Sequence, residues 1–393
     1  MRGSVRKRYE NSWSVIVDLG YQVDPKTGLR KRRQKWVTVR GTKKQAQEKL
    51  TEMLHALGRN EFIEPTKLTL GEWLKDWLEK AVKPPAKRFR THQTYRQVVE
   101  KVITPSWIAS IPMQQLKSAD LKRFYLELKV SPSTQAKYHA IVHSALKAAT
   151  LEGLVFRNVA ALVVGKPHAR THHEDIRANC WTADEARDFL AAARAEGPQP
   201  AAFYTLALET GMRKAELCGL KWSDLDVEAG KVQVVRQLIV PGEKPVFGPP
   251  KNGQPRTIDI GAGTVQLMKA HRSHQAEIKL KNRPIYHDHE LVFAKEWRDL
   301  GRKHDVLGEP LQINNFGQRE YRRLLKTAEV RAIKFHGLRH TCATLMFQAG
   351  VPVKVIQERL GHKRIEMTLG IYAHVLPSMQ QDAAARLGAL LQG

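Results

Sequence analysis

Cysteine is nearly absent. Three thiols, Cys180, Cys218 and Cys342, are scattered through 393 residues with no C-x-x-C pair among them. That spacing supports neither a zinc ribbon nor a disulfide framework, and it suits a reducing cytoplasm. No run of about 18 apolar residues occurs, and the basic start Met1-Arg2-Gly3-Ser4 continues into Val5-Arg6-Lys7-Arg8-Tyr9 instead of an apolar stretch. Neither membrane insertion nor secretion is expected. No repeat of fixed period recurs. Acidic residues are also short: 39 Asp and Glu stand against 65 Lys and Arg, for a formal charge of +26 and a pI near 10. The acids Asp288, Glu290, Asp299 and Asp305 lack the paired spacing that a metal-dependent hydrolase needs. What the chain has in abundance is positive charge. A surface so basic belongs beside a polyanion, nucleic acid first, because Lys and Arg tracking a phosphate backbone release its counterions.

The length implies two or three domains. The expected architecture is multidomain and mainly α: a small β-sheet plus helix at 1–62, an all-α domain at 66–165, a linker at 166–177 and a mixed α+β unit at 178–393. In the first unit, 12–19 reads as a strand, 25–28 as a turn and 34–40 as a returning strand, with 4–8 available as a third. Thr42 caps a helix that runs through Ala46, Leu50, Met53, Leu54 and Leu57. Between the strands lie Arg30, Lys31, Arg32, Arg33 and Lys35. A charge run can be a solvated face and nothing more, but on a β-ribbon it fits the DNA major groove. The unit therefore reads as an accessory DNA-binding domain.

The second unit opens with Thr69 as a helix cap, and helices follow at 91–103, 118–129 and 132–152 with Thr91, Ser118 and Ser131 as cap candidates. Basic residues recur on it, among them Lys87, Arg88 and Arg90, which gives the domain a cationic, DNA-facing side. Trp73, Trp77 and Trp107 have apolar neighbours and read as core. The polar, proline-broken stretch after Gly165 carries His168, His172 and His173, which suit an exposed linker better than a metal site.

In the third unit Thr182 and Glu185 form a capping box, helices are expected at 183–195 and 199–210, and strands at 231–240 and 256–260. Between those strands Lys251-Asn252-Gly253-Gln254 carries the Asn-Gly signal of a hairpin. Four short segments then carry chemistry: Thr210-Gly211-Met212-Arg213-Lys214-Ala215-Glu216-Leu217, His336-Gly337-Leu338-Arg339-His340-Thr341, Leu360-Gly361-His362 and Ile371-Tyr372-Ala373-His374. Cutting a phosphodiester needs charge stabilisation on the non-bridging oxygens, a nucleophile and an acid for the leaving oxygen. Arg213 and Arg339 suit the first role, since a guanidinium donates in parallel and keeps its charge. Glu216, three residues after Arg213, can brace it.

In that order and at those separations, the four segments resemble the motifs of the tyrosine recombinase family, and the two units before them resemble the arm-binding and core-binding domains of phage and conjugative-transposon integrases. The resemblance implies a site-specific recombinase that cuts and rejoins DNA through a 3′-phosphotyrosyl bond, integrating and excising a mobile element. It implies Tyr372 as nucleophile, Arg213 and Arg339 holding the phosphate, His336 assisting proton transfer from Tyr372, and His362 bonding a phosphate oxygen. Lys251 would protonate the leaving 5′ oxygen, with Lys244 in the same loop as the other candidate, and Glu216 would support. No cofactor or metal is implied, although His340, four residues after His336, invites a zinc reading. The implied partners are core and arm DNA sites, a tetramer assembled on DNA, and accessory DNA-bending or directionality proteins. The implied location is the nucleoid of a bacterial cytoplasm. The tail, with Ala383, Leu387, Leu390 and Leu391 at helical spacing, packs either on its own domain or on a neighbouring subunit. A non-catalytic DNA-binding regulator would be expected to show damage to the phenol or the arginines, and all are present.

Overall fold

The computed structural model describes residues 3–23, 29–58, 63, 65–165, 179–296, 306–311, 319–366, 368–369, 384–385 and 387–391. The 25–28 turn, the 166–177 linker with its histidines, Asp299, Asp305 and Tyr372 lie outside the described residues, as do the side chains of Lys31 and Arg33. The chain divides into two compact units, Met1–Arg170 and Thr171–Gly393. The sheet and the helical bundle both fall in the first unit, each around a hydrophobic cluster of its own.

Strands β1 (Gly3–Tyr9), β2 (Ser12–Val23) and β3 (Arg30–Arg40) form an antiparallel sheet in the order β1-β2-β3. The register sets Val15 opposite Val37 and Trp13 opposite Val39, so alternate residues share one face. Helix α1 (Lys43–Gly58), whose start is capped by the Thr42 hydroxyl, covers that face with Ala46 and Met53. Both long strands outrun the apolar alternation. The basic run thus lies within β3, paired with Gly20–Val23, and not between strands as expected. Backbone pairing continued through it because long basic side chains tolerate an edge strand, where their charged ends stay in water.

In the bundle, α2 (Leu70–Trp77) and α3 (Phe89–Val98) each run on through a wider turn, Leu78–Val82 and Val99–Ile103, and α4 (Ser118–Glu127) and α5 (Pro132–Leu151) follow. Thr69 and Ser131 cap as expected. Thr91 does not, because α3 begins two residues earlier, at Phe89; Ser118 is already inside α4, and Asp120 bonds the Lys117 amide instead. Trp73 and Trp77 are core, and Trp73 Nε1 donates to the Ala145 carbonyl. Trp107 departs from the expectation: it is 37% exposed, with Nε1 bonded to Glu127 and the Arg123 guanidinium over its ring. A polar partner for its N–H and a cation over its face let it stay at the surface.

The second unit packs α6 (Ala183–Glu196) against α7 (Pro198–Thr210) around Phe189, Phe203, Tyr204, Phe293 and Tyr321, which meet mostly edge to face. Thr182 and Glu185 form their capping box at the start of α6. After the short helix α8 (Lys214–Leu217) and strand β4 (Leu225–Asp226), the expected 231–240 strand is broken into β5 (Lys231–Val234) and β6 (Gln237–Val240). Arg236, at the break, turns to bond the buried Asp224 carboxylate at 2.8 Å. Next come β7 (Val246–Gly248), β8 (Arg256–Asp259), α9 (Ala262–Lys281), α10 (Glu320–Thr327), α11 (Phe335–Gln348) and α12 (Val353–Leu360).

The Asn252-Gly253 turn forms, with the Gly253 amide on the Pro250 carbonyl at 2.8 Å, but it does not close a hairpin between its flanking strands. β7 pairs with β6, and β8 pairs with β5. Pro249, Pro250 and Pro255 beside the turn have no N–H to give a ladder, and Val232, Val234 and Ile258 bury themselves by joining β8 to β5.

Candidate active site

Helix α7 ends at Gly211, which takes the left-handed conformation at φ +60. A side chain there would strain the backbone and press on Leu360 and Cys342, so glycine is required for α12 to come this close. The sharp exit delivers Arg213 to the position that caps α8, where Glu216 accepts both the Arg213 amide at 3.0 Å and its Nη1 at 2.8 Å. Glu216 is 0% exposed. The oxygen that accepts the Arg213 amide also takes Arg256 Nη2 at 2.7 Å, so one buried carboxylate spans two guanidinium groups. Burial works to raise the Glu216 carboxyl, but the bond and charge of Arg256, then those of Arg213, outweigh it and hold the group below the usual carboxylate range.

The end of α12 gathers the rest. Its last carbonyls have no partner within the helix and carry the negative end of its dipole. The Arg359 carbonyl accepts Arg256 Nε at 2.9 Å, the Leu360 carbonyl accepts Arg339 Nη2 at 2.6 Å, and the Gly361 carbonyl accepts Arg213 Nη2 at 3.3 Å and Asn252 Nδ2 at 2.6 Å. Arg339, 3% exposed on α11, also gives Nη1 to the Gly211 carbonyl at 2.7 Å. Three arginines from separate segments of the chain thus converge on three consecutive peptide oxygens.

Two imidazoles complete the group. His362 follows the α12 cap, with Nδ1 against Thr368 Oγ1 at 2.9 Å, and His336 stands in the first turn of α11. Burial, then His340, Arg339, Arg213 and Lys251, push His336 down to about 4; burial, then Arg339 and Arg213, push His362 down to about 3. Both rings are therefore neutral at neutral pH and able to accept a proton or bond an oxygen. Lys251 is exposed on its turn, and its charge reaches His336, whereas Lys244 sits in the β6–β7 loop. His340 packs edge-on to His336 at 4.9 Å, and among the described residues no group of three or more His, Cys, Asp or Glu could hold a metal ion.

The depressed histidines give a testable sign. As pH falls below the ordinary 6.5, the unfolded chain takes up protons that the folded one refuses. Their contribution to stability is full above 6.5 and is lost as pH falls from 6.5 towards about 4 for His336 and about 3 for His362. Imidazole NMR of the DNA-free protein is expected to show both rings neutral at pH 6; midpoints between 6 and 7 would contradict the site's electrostatics.

Of the other candidates, Arg30 and Arg32 share a side of β3 with Trp36, which is 57% exposed, while Lys35 lies on the helix-covered side. Arg32 is paired with Asp18 at 2.6 Å. The register adds Arg6, Arg8 and Arg40 to the open side. Lys87, Arg88 and Arg90 are exposed where α3 begins. The sequence reading missed Arg256 and Asn252. No local sequence signal marks Arg256, because its partners Glu216 and the Arg359 carbonyl lie 40 and 103 residues away.

A model of the phage integrase family matches residues 179–379. The chain belongs to that family. A tyrosine recombinase XerC-like protein of Caldanaerobacter subterraneus is 29% identical to this recombinase, covering 89% of this chain and 90% of its own. The ICEBs1 integrase of Bacillus subtilis is 23% identical over 99% of this chain and 100% of its own. Among solved structures, a Tn1549 transposon integrase in complex with transposon right-end DNA superposes with a TM-score of 0.64 at 21% identity, over 81% of this chain and 99% of that one. A lambda integrase tetramer bound to a Holliday junction gives 0.56 at 19% identity, over 93% and 94%. This tyrosine recombinase is a site-specific DNA strand cleavage and transfer enzyme of the integrating and excising kind. Among its described residues no helix is long and apolar enough to cross a membrane.

Proposed function

We propose that Tyr372 attacks a phosphodiester held by Arg213 and Arg339, forming a 3′-phosphotyrosyl bond and releasing a 5′-hydroxyl. The convergence of these arginines with the neutral rings of His336 and His362 carries the reading. A free phenol loses its proton only near pH about 10. In this reading the neutral His336 takes that proton, and its affinity for it rises as phosphate brings negative charge among the cations. His362 bonds a non-bridging oxygen, Lys251 protonates the leaving oxygen, and Glu216 orients Arg213. Because the phosphotyrosyl bond keeps the energy of the one it replaced, a 5′-hydroxyl from another strand can reverse the step and join new ends.

Residues 1–62 serve as an arm-type DNA-binding domain and 66–165 as the core-binding domain, with 166–177 linking them to the catalytic domain at 178–393. The open sheet face with Arg6, Arg8, Arg32, Arg40 and Trp36 suits a groove, and Lys87, Arg88 and Arg90 suit phosphates. DNA core and arm sites are the substrate, and exchange between two duplexes needs four copies. Accessory DNA-bending or directionality proteins and a nucleoid location complete the proposal. A suicide substrate tests it: a nicked core site should yield a denaturation-resistant protein–DNA adduct, with mass spectrometry placing the nucleotide on Tyr372. Metal-dependent cutting without an adduct would point to a nuclease instead.

A further inference from the structure

The turn that carries Lys251 has an unusual support. Its flanking strands, β7 and β8, are not partners, so no ladder bonds them across residues 249–255. Three prolines in that stretch remove further donors. Side chains fasten the segment instead. On the strand side, Gln237 Nε2 donates to the Pro249 carbonyl at 2.9 Å. On the helix side, Asn252 Nδ2 donates to the Gly361 carbonyl at 2.6 Å, the oxygen that also receives Arg213 and immediately precedes His362. Asn252 and His362 line one pocket of about 350 Å³ beside Gly361. The bond thus ties the residue next to Lys251 directly to the arginine cluster. The Lys251 charge is among those that lower the proton affinity of His336.

We propose that Asn252 is a positioning residue for proton delivery: its amide, bonded to the Gly361 carbonyl at the end of α12, docks the 249–255 turn on the active site and sets Lys251 against the leaving oxygen. This rests on the proposed role of Lys251 as general acid. In the step concerned, the Tyr372 phenolate oxygen bonds to phosphorus, the P–O5′ bond breaks, and O5′ takes a proton from the Lys251 ammonium, leaving a neutral amine and a 5′-hydroxyl. Asn252 touches none of the reacting atoms. Its loss leaves the arginines and histidines in place and lets the turn drift, so the acid is misplaced while the phosphate is still held.

That division has a chemical signature. When sulfur replaces the bridging 5′ oxygen, the leaving thiolate departs without a proton, and a general acid is no longer needed. The experiment compares single-turnover adduct formation on suicide sites with oxygen or sulfur at that position, for the full chain and for Asn252→Ala, Asn252→Asp and Lys251→Ala. Asp keeps the shape of Asn but has no N–H for the carbonyl, so it tests the bond if the Ala variant folds poorly. On oxygen, both Asn252 variants are expected to slow cleavage by roughly 10- to 100-fold, part of the range a general acid contributes. On sulfur, they and Lys251→Ala should come within about threefold of the unaltered protein. Asn252 variants equally slow on both substrates, with Lys251→Ala rescued by sulfur, would overturn the inference and leave the bond a structural one. Asn252 variants with undiminished rates on oxygen would also overturn it. Failure of sulfur to rescue Lys251→Ala would remove the general-acid reading, and the inference with it.

Discussion

Arg339→Ala is expected to cut the rate of adduct formation on a suicide substrate by at least about 10²–10³-fold, the loss typical of removing one charge-stabilising donor from a transition state. The geometry argues for the upper end. The guanidinium is 3% exposed and held by two carbonyls, Gly211 at 2.7 Å and Leu360 at 2.6 Å, that belong to the exit of α7 and the end of α12. Truncation therefore removes a charge and also leaves two peptide oxygens without their donor, at about 1–3 kcal/mol each when buried. Those oxygens flank Arg213 and His362, so Arg213, proposed as the second phosphate-holding arginine, loses its frame at the same time. Arg339→Lys separates the two effects. An ammonium keeps the charge but has no planar fork to serve both carbonyls, and its rate should fall by on the order of 10²-fold. Adduct kinetics at saturating DNA, with melting curves alongside, check both variants; a lysine variant with the original rate would show that charge alone suffices.

The second large effect is on stability. Arg256→Met should destabilise the catalytic unit by about 3–5 kcal/mol, because it strips one cation from a carboxylate with no access to water. Methionine approximates the stem of arginine, so packing loss is small and the cost of leaving the buried carboxylate with the Arg213 guanidinium alone dominates. Adding Glu216→Gln removes that charge, and the double variant should regain about half of the loss. Urea unfolding of the four proteins of this cycle measures it. Additive losses would mean that Arg256 and Glu216 act independently, against the 2.7 Å bond between them.

What could be read from the chain beforehand follows the range of the interactions involved. The cap at Thr69 and the capping box at Thr182 were legible because cap and partner stand three residues apart. The four motif segments were legible because each keeps its chemistry-bearing side chain within a stretch of three to eight residues. The break in the 231–240 strand was not, because its hydropathy is continuous and the decision lies with Arg236 reaching Asp224. The turn at Lys251 misled: Asn-Gly is a hairpin signal, but the prolines around it deny the ladder a hairpin needs. Arg256 was least visible. Its partners are a carboxylate 40 residues away and a peptide oxygen 103 residues away, neither of which leaves a mark on its neighbours in sequence. Tyr372 is the reverse case, read from its motif and lying outside the described residues.

The end of α12 has a consequence for how such a site can vary. Its arginines rest on the carbonyls of Arg359, Leu360 and Gly361, and every amino acid supplies a carbonyl. Point substitutions in this last turn cannot delete the acceptors, so the anchorage is protected from most single mutations. It is exposed to changes in chain path. A one-residue insertion or deletion before Gly361 would rotate the oxygens by about 100° around the helix axis, away from all their donors at once. Gly361 is the exception: at φ +64, with Arg256 atoms 3.0–3.2 Å from where a Cβ would stand, it is the one place in this turn where the choice of residue decides whether the backbone can hold its cations.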